Sequence, residues 1–514
     1  MRRLRQLAER TPADRERYVD LLRAVAITAV VLGHWTVAVI GHDAAGRPTG
    51  RSALPDLPWA YPLTWLVQVM PVFFVVGGFA NTASLAAQRA RGGDAADWLL
   101  DRSARLVRPT TVLVLVLAAG ALVARLAGVD PSLTRTVVWF ATVPLWFLAA
   151  YLLVVPLTPL TYALHRRYGP AVPLVLAVLV GLGDLARLAD RPGLAVGNYL
   201  FGWLAVHQLG YAWYDARRGV GLRFPPTRRL GWALLLGGVA TLVALTTVGP
   251  YPVSMINIPG ERLDNAAPPS LALLVLATAQ VGLVMVLRDP AERWLRRPGP
   301  WQAVIAVNAV VLTVFLWHLS AAILLVGGLD AVGLLPTPPV GSPAWFAWRV
   351  PWLLMLSAVL AVLVAVFGPV EARTGRRSVL ASTGRRSARG EPTARPRSLE
   401  RRDGPGSRDP GAGPGPRDPG AGPGPRDPGA GPGPRDRPPG RRHPPPRIRA
   451  GLAVTGFVAV VAALAVNAVT PRHAAEPLGL PVPALVAYLA GAGVLRLLRE
   501  WPGTRGPTPP GSPR

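Results

Sequence analysis

Two ionisable side chains, Arg23 and His34, lie in an apolar segment near the start of the chain, which reads RAVAITAVVLGHW over residues 23–35. A segment of this kind crosses a bilayer as a helix, and ionisable groups inside the bilayer usually have a function. The two residues are eleven positions apart, which is about 1100° of helix rotation and about 16 Å of rise. Both therefore project from nearly the same face. The pair predicts an anion-binding group at the cytoplasmic edge and a titratable imidazole past the bilayer midplane.

Each residue also has a purely structural interpretation. Arg23 would anchor the helix by extending its side chain toward water, paired with Asp20 one turn earlier. His34 would hydrogen-bond to a neighbouring helix. Position alone favours neither interpretation, but the shared face favours a functional pair.

Three arginines, Arg102, Arg105 and Arg108, follow at intervals of three just before Pro109. Residues three apart share a helix surface, so they predict a phosphate clamp at the inner edge of the membrane. Arginines that only mark the cytoplasmic side would show the same pattern.

Small and aromatic residues in two further apolar segments could shape a pocket. Gly77 and Gly78 permit close approach of a helix or a ligand, and Asn81 adds a polar group. Trp146 and Tyr151 would line a pocket, although core packing or an interfacial position explains them better.

A late apolar segment contains Asn308 and His318. His318 lies at a depth comparable with that of His34, so the two would share one site, or His318 would pair with a backbone carbonyl. The two alternatives are equally supported. His207 is alone in its segment, which favours a structural role. The possible pocket residues are Asp20, Trp146, Asn308 and His318.

Several chemistries have no motif in this sequence. There is no cysteine, which excludes disulfides, thiol nucleophiles and cysteine metal sites. There is also no H-x-x-x-D motif, G-x-S-x-G nucleophile elbow, P-loop or H-E-x-x-H. We expect no metal and no bound cofactor, and the short inner loops place any catalysis within the membrane bundle.

The composition is that of a polytopic membrane protein. Of the 514 residues, 51% are hydrophobic and 16% are charged, with a mean hydropathy of +0.33. The net charge is +27, and all 55 basic residues are arginine. Because these arginines lie between apolar runs and in one Pro/Gly-rich stretch, they indicate a membrane topology rather than nucleic-acid binding.

Twelve apolar runs predict an all-α transmembrane bundle of ten core helices plus two C-terminal ones. The predicted spans are 20–40, 62–83, 109–127, 141–162, 171–188, 195–214, 230–249, 270–287, 301–327, 345–369, 451–470 and 480–498. With the N-terminus in the cytoplasm, the inner loops of the core contain 16 arginines and the outer loops 6. This asymmetry predicts a multi-pass membrane protein with both termini cytoplasmic. The use of arginine alone, with abundant Ala, Gly and Pro, indicates a high-GC bacterium and therefore the bacterial plasma membrane.

The chain divides into five predicted parts. Residues 1–19 form a cytoplasmic segment, 20–370 the membrane domain, 371–450 a linker, 451–498 two further spans and 499–514 a tail. The linker repeats RDPGAGPGP three times between residues 408 and 434. Such a composition predicts disorder in the linker and the tail. A solvated spacer explains the linker better than contact with anionic lipid or nucleic acid does.

In combination, these motifs resemble the acyltransferase 3 family of integral-membrane acyltransferases. The family shows an arginine, ten residues and a histidine in its first span, as in VDLLRAVAITAVVLGHW here. FFVVGGF resembles its second span, with Gly77 where serine is common, so no hydroxyl is available from that position. Arg105, Arg108 and Pro109 match an R-x-x-R-P loop, and LWFL and His318 match later elements. The loop at 251–269 looks like that of actinobacterial members, and the resemblance covers residues 18–370.

The resemblance implies transfer of an acyl group, often acetyl, from cytoplasmic acyl-CoA to a hydroxyl. The acceptor would be a cell-surface glycan, a lipid-linked sugar or a small natural product. Arg23, Arg105 and Arg108 would bind the donor phosphates, and His34 would be the general base. The catalytic residues would therefore be His34 and Arg23.

A second function remains open, since a glycan or lipid transporter or flippase would also bury a few polar groups in such a bundle. The side from which the acceptor binds is also open. Glu261 and Asp264 in the outer loop favour an extracytoplasmic acceptor only mildly, because a solvated loop explains them as well.

Overall fold

The apolar runs fold into helices that pack side by side, as the computed structural model of the chain describes for residues 15–42, 46, 48–220, 227–387 and 446–500. The first eight helices are α1 (Arg17–Val37), α2 (Thr64–Val67), α3 (Met70–Ala90), α4 (Ala95–Leu126), α5 (Pro131–Thr142), α6 (Leu145–Val154), α7 (Thr158–Tyr168) and α8 (Ala171–Leu188). The next eight are α9 (Asn198–Arg217), α10 (Arg228–Thr247), α11 (Leu271–Leu295), α12 (Pro298–Asn308), α13 (Val311–Ala331), α14 (Pro343–Ser387), α15 (Pro446–Val469) and α16 (Val482–Glu500).

Eleven helical segments in the described residues are long and apolar enough to cross a membrane. This confirms the prediction of an all-α, multi-pass membrane bundle. The predicted span at 195–214 corresponds to α9, which is not among the eleven. Its residues include Asn198, His207, Gln208 and Asp215, and α3 and α8 pack against it. Because neighbouring helices bury these polar groups, α9 need not be as apolar as a lipid-facing helix.

Several element boundaries differ from the sequence prediction, including the following three. The predicted inner loop before Pro109 is helical, because α4 begins at Ala95 and continues through the proline. The predicted span 301–327 is two helices, α12 and α13, with a break after Asn308. Helix α14 ends at Ser387, so the first part of the predicted linker, 371–387, is helical.

The break before α13 leaves backbone N–H groups without helical partners, and the Glu371 carboxylate of α14 accepts hydrogen bonds from them. Its carboxylate accepts hydrogen bonds from Leu312 N at 3.1 Å and Thr313 N at 2.8 Å. A helix N-terminus favours a carboxylate in this position. Residues 446–450 of the predicted linker belong to α15, and its residues 388–445 lie outside the described residues. Residues 1–14 of the predicted N-terminal segment and 501–514 of the predicted tail also lie outside them.

A β-hairpin and a folded loop cover one end of the bundle. Strands β1 (Ala38–His42) and β2 (Pro48–Ser52) follow α1 directly and pair antiparallel. The loop at 251–269 is held by Asp184, whose carboxylate accepts hydrogen bonds from Leu271 N at 2.7 Å and the Tyr251 hydroxyl at 3.1 Å. Burial raises the pKa of the Asp264 carboxyl in this loop. We call this end the hairpin end.

Candidate active site

The two histidines that lie at similar depth in the sequence meet in the structure. Helices α1 and α13 pack together, and His34 Nδ1 lies 2.8 Å from His318 Nε2. The rings are parallel within 1°, with centroids 5.1 Å apart. His318 is fully buried and His34 is half-buried. His318 contacts both His34 and a backbone carbonyl, so its position agrees with either of the two alternatives.

The hydrogen bonds determine which nitrogen of each neutral ring carries the proton. His318 Nδ1 lies 2.6 Å from the carbonyl oxygen of Phe315, which can only accept, so His318 Nδ1 is the donor. Nε2 of His318 must then accept the hydrogen bond from His34 Nδ1. His34 Nε2 is left with a free lone pair, and within the described residues it has no hydrogen-bond partner.

Two tryptophans fix this pair from the hairpin end. The Trp35 indole N–H donates to the His318 carbonyl at 3.0 Å, and the Trp352 indole N–H donates to the Trp35 carbonyl at 3.0 Å. Both tryptophans are 2% exposed. The backbone of α13 is therefore tied to α1 and α14 at the level of the histidines, which holds the two rings in register.

Arg23 lies toward the other end of α1, within a small polar group. Its guanidinium donates to Asp20 Oδ1 at 3.2 Å, and Arg15 donates to the other oxygen of Asp20 at 2.7 Å. Asn308, at the break between α12 and α13, donates to the Asp20 carbonyl at 2.9 Å. Two of the predicted pocket residues, Asp20 and Asn308, therefore lie together with Arg23.

A buried polar chain joins α4 to α9 and was not predicted as a unit. Arg102 donates to the Tyr151 hydroxyl at 3.2 Å, and that hydroxyl donates to Asn81 Oδ1 at 3.4 Å. The Asn81 amide lies 3.1 Å from His207 Nε2, and His207 Nδ1 lies 3.0 Å from the Tyr211 hydroxyl. Both nitrogens of His207 thus have partners, in accord with the structural role favoured for it.

Comparison with protein families identifies the fold that carries these groups. A family model described as an acyltransferase domain, of the acyltransferase 3 type, matches residues 16–370, more than two thirds of the chain. The chain belongs to the acyltransferase 3 family. It matches no curated protein and no solved structure. The acyltransferase domain contains α1 through most of α14, and therefore both histidines, Arg23 and the buried polar chain. Helices α15 and α16 lie outside it.

Gly77 of the acyltransferase domain packs against the ring of Tyr151. A Cβ at residue 77 would lie 2.7 Å from Tyr151 Cε2 and 3.2 Å from the Tyr151 hydroxyl. The glycine thus admits the tyrosine ring. The expectation that this position offers no hydroxyl holds for residue 77 itself, but the Tyr151 hydroxyl occupies the adjacent space. The sequence could not show this, because it depends on the packing of α6 against α3.

The remaining predicted residues divide between the site and the core. Arg105 is exposed on α4 and lies close enough to Arg23 and Arg102 to interact with their charges. We call the end of the acyltransferase domain that carries these three arginines the basic end. Arg108 is half-buried three residues further along α4. Trp146 packs against the hydrophobic core. Among the described residues, no three His, Asp or Glu side chains are grouped as a metal site requires.

Proposed function

We propose that this acyltransferase moves an acyl group, most simply acetyl, from acyl-CoA to a hydroxyl, with His34 as the general base. The single observation that carries this proposal is the hydrogen-bond chain from the Phe315 carbonyl through His318 to His34. It leaves the lone pair of His34 Nε2 available to accept a proton. A general base that is itself oriented by another hydrogen-bonding group is an arrangement that acyl transfer can use.

The acyl group passes directly from the thioester sulfur of the donor to the hydroxyl oxygen of the acceptor. The acceptor oxygen attacks the thioester carbonyl carbon while His34 Nε2 takes the hydroxyl proton. The carbon–sulfur bond then breaks, and the imidazolium returns the proton to the leaving sulfur, which gives an ester and free CoA–SH. His318 stabilises the transient imidazolium because its Nε2 accepts the hydrogen bond from His34 Nδ1.

The basic end supplies the donor site in this proposal. Arg23, Arg105 and Arg108 bind the phosphates of the acyl-CoA, and the pantetheine arm extends along α1 toward His34, about 16 Å away by helix rise. The excess of arginine on this side supports a cytoplasmic orientation, with both termini there and the protein in the bacterial plasma membrane.

The hairpin end supplies the acceptor side. A shallow cleft there is lined by β1 together with Trp345, Trp348 and Arg349 of α14. The indole N–H of Trp345 is buried, and no other described residue offers it a hydrogen bond. Flat aromatic faces with a few polar donors suit a hydroxyl-rich ligand. The acceptor is therefore a glycan, a lipid-linked sugar or a small natural product approaching from this end.

Purified full-length protein with radiolabelled acetyl-CoA and a panel of glycans and metabolite extracts tests the proposal. We expect thioester consumption together with label in an acceptor that mass spectrometry identifies by the added acyl mass. Movement of a glycan or lipid across vesicles without any consumption of the thioester would instead establish a transporter or flippase.

A further inference from the structure

The two C-terminal helices, α15 and α16, lie outside the matched acyltransferase domain but pack directly on it. They contact each other, α15 contacts α6, and α16 contacts α4. The Tyr488 hydroxyl of α16 donates to the Val107 carbonyl of α4 at 3.2 Å. The C-terminal pair is thus attached to the helix that carries Arg102, Arg105 and Arg108.

Arg135 of α5 binds the turn that joins the two C-terminal helices. Its side chain is fully buried and donates to Asn467 Oδ1 at 2.8 Å, to the Asn467 carbonyl at 3.0 Å and to the Thr470 carbonyl at 2.9 Å. A further bond reaches the Gly479 carbonyl at 3.2 Å. A buried guanidinium with this many acceptors fixes its partners in one arrangement.

Two ion pairs connect the C-terminal helices to the acidic residues of α4. Arg499 of α16 lies 3.2 Å from Asp101, and Arg449 of α15 lies 2.7 Å from Asp97. Asp97 and Asp101 are one turn apart, beside the three α4 arginines. Each aspartate of this part of α4 therefore has an arginine contributed by the C-terminal pair.

The pairing changes the charge of the proposed donor site. Residues 95–108 contain three arginines and two aspartates, a net charge of +1. Arg449 and Arg499 raise the local net charge to +3. Arg499 also lies close enough to Arg105 for their charges to repel. Gathering like charges at one place is unfavourable unless an anion binds among them.

We propose that the C-terminal pair completes the phosphate-binding part of the donor site, with Arg499 as a direct ligand of the donor phosphates. This rests on the proposed acyl-CoA donor. Arg499 neutralises Asp101, which would otherwise repel a phosphate, and its guanidinium joins Arg105 at the same edge. The two helices thus have a role in donor binding that the acyltransferase domain alone does not provide.

Two full-length variants of α16 test the proposal. Arg499→Ala removes the arginine that faces α4, and Arg496→Ala is the matched control, since Arg496 is 71% exposed and pairs only with Glu500 in the described residues. We expect Arg499→Ala to raise KM for acyl-CoA by about 5- to 10-fold with kcat unchanged, as loss of one charge-assisted contact at a partly exposed site would. Arg496→Ala should leave both constants unchanged.

A donor without the nucleotide separates phosphate binding from general damage. With an acyl-pantetheine thioester, Arg499→Ala and the unsubstituted protein should have the same KM. An equal increase for both donors, or no increase for acyl-CoA, would overturn the proposal.

Titration with free coenzyme A keeps this test independent of turnover. A Kd for coenzyme A that Arg499→Ala does not weaken, or no binding by the unsubstituted protein, also overturns the inference. Weakened binding without any acyl transfer by the unsubstituted protein would support the site and contradict the proposed function.

Discussion

At the residue scale, His318 determines which nitrogen of the neutral His34 ring carries the proton. Its Nδ1 proton is committed to the Phe315 carbonyl, and its Nε2 accepts from His34. In the opposite tautomer His34 would present an N–H to the acceptor hydroxyl and could not take its proton. In the proposed function His318 is therefore a positioning residue, and its effect should appear in the chemical step rather than in donor binding.

His318→Ala should lower kcat by about 10- to 100-fold, as loss of an orienting partner does, with little change in KM for acyl-CoA. Steady-state kinetics of the purified variant measures both constants. Ser320→Ala is the control, because this residue is buried two positions further along α13 and its hydroxyl has no hydrogen-bond partner in the described part of the chain. A rise in KM with unchanged kcat would show that His318 has another role.

The sequence predicts only part of this site. Helix periodicity places Arg23 and His34 on one face, and equal depth brings His318 near His34. The direction of the hydrogen bonds depends on the Phe315 carbonyl, which no pattern of side chains reveals. The buried polar chain from Arg102 to His207 could not be predicted from the sequence either. It takes one residue from each of four helices, and the sequence does not show which helices are neighbours.

At the scale of elements, α3 and α9 approach each other through glycines. A Cβ on Gly78 would lie 2.2 Å from the His207 carbonyl oxygen, and one on Gly210 would lie 2.2 Å from the Val75 carbonyl oxygen. Backbone atoms cannot move aside as a flexible side chain can. This close contact holds Asn81 and His207 within hydrogen-bond distance of each other.

Gly78→Ala should therefore destabilise the protein by about 1–3 kcal/mol or more, since it overpacks a backbone contact. The matched control is Gly181→Ala in α8, where a Cβ would meet nothing within 4 Å. That substitution should be neutral or stabilise by up to about 1 kcal/mol. Thermal unfolding in detergent compares the two, and equal melting temperatures would contradict the proposed packing.

Element boundaries were the least predictable feature of the fold. Hydropathy alone cannot show whether residues 301–327 form one helix or two, because α12 and α13 are both apolar. The break depends on Glu371, about sixty residues later, whose carboxylate accepts the N–H groups at the start of α13. Similarly, the arginines before Pro109 read as a loop, although α4 continues through them because a proline can be accommodated within a membrane helix.

At the scale of the whole molecule, apolar length and arginine asymmetry were sufficient to predict the membrane bundle. They did not reveal which helices are neighbours. The C-terminal pair is an example, since nothing in its composition indicates that it packs on α4, α5 and α6. That arrangement depends on Arg135, whose partners lie more than 300 residues later in the chain.

Arg135→Ala should detach the C-terminal pair. It leaves several buried carbonyl groups without a donor, each worth about 1–3 kcal/mol, so the melting temperature should fall by several degrees. Arg472→Ala, an exposed arginine beside the same turn, is the control. Limited proteolysis should release α15–α16 faster from Arg135→Ala only. Equal rates would contradict the role given to Arg135.

The most direct test of the central claim is acyl transfer by His34→Ala. His42→Ala is the matched control, because His42 is exposed on β1 and pairs with Asp330. With labelled acyl-CoA and a confirmed acceptor, His34→Ala should transfer about 10²- to 10⁴-fold more slowly, with unchanged coenzyme A binding, while His42→Ala keeps the full rate. Transfer at the full rate by folded His34→Ala would contradict the account.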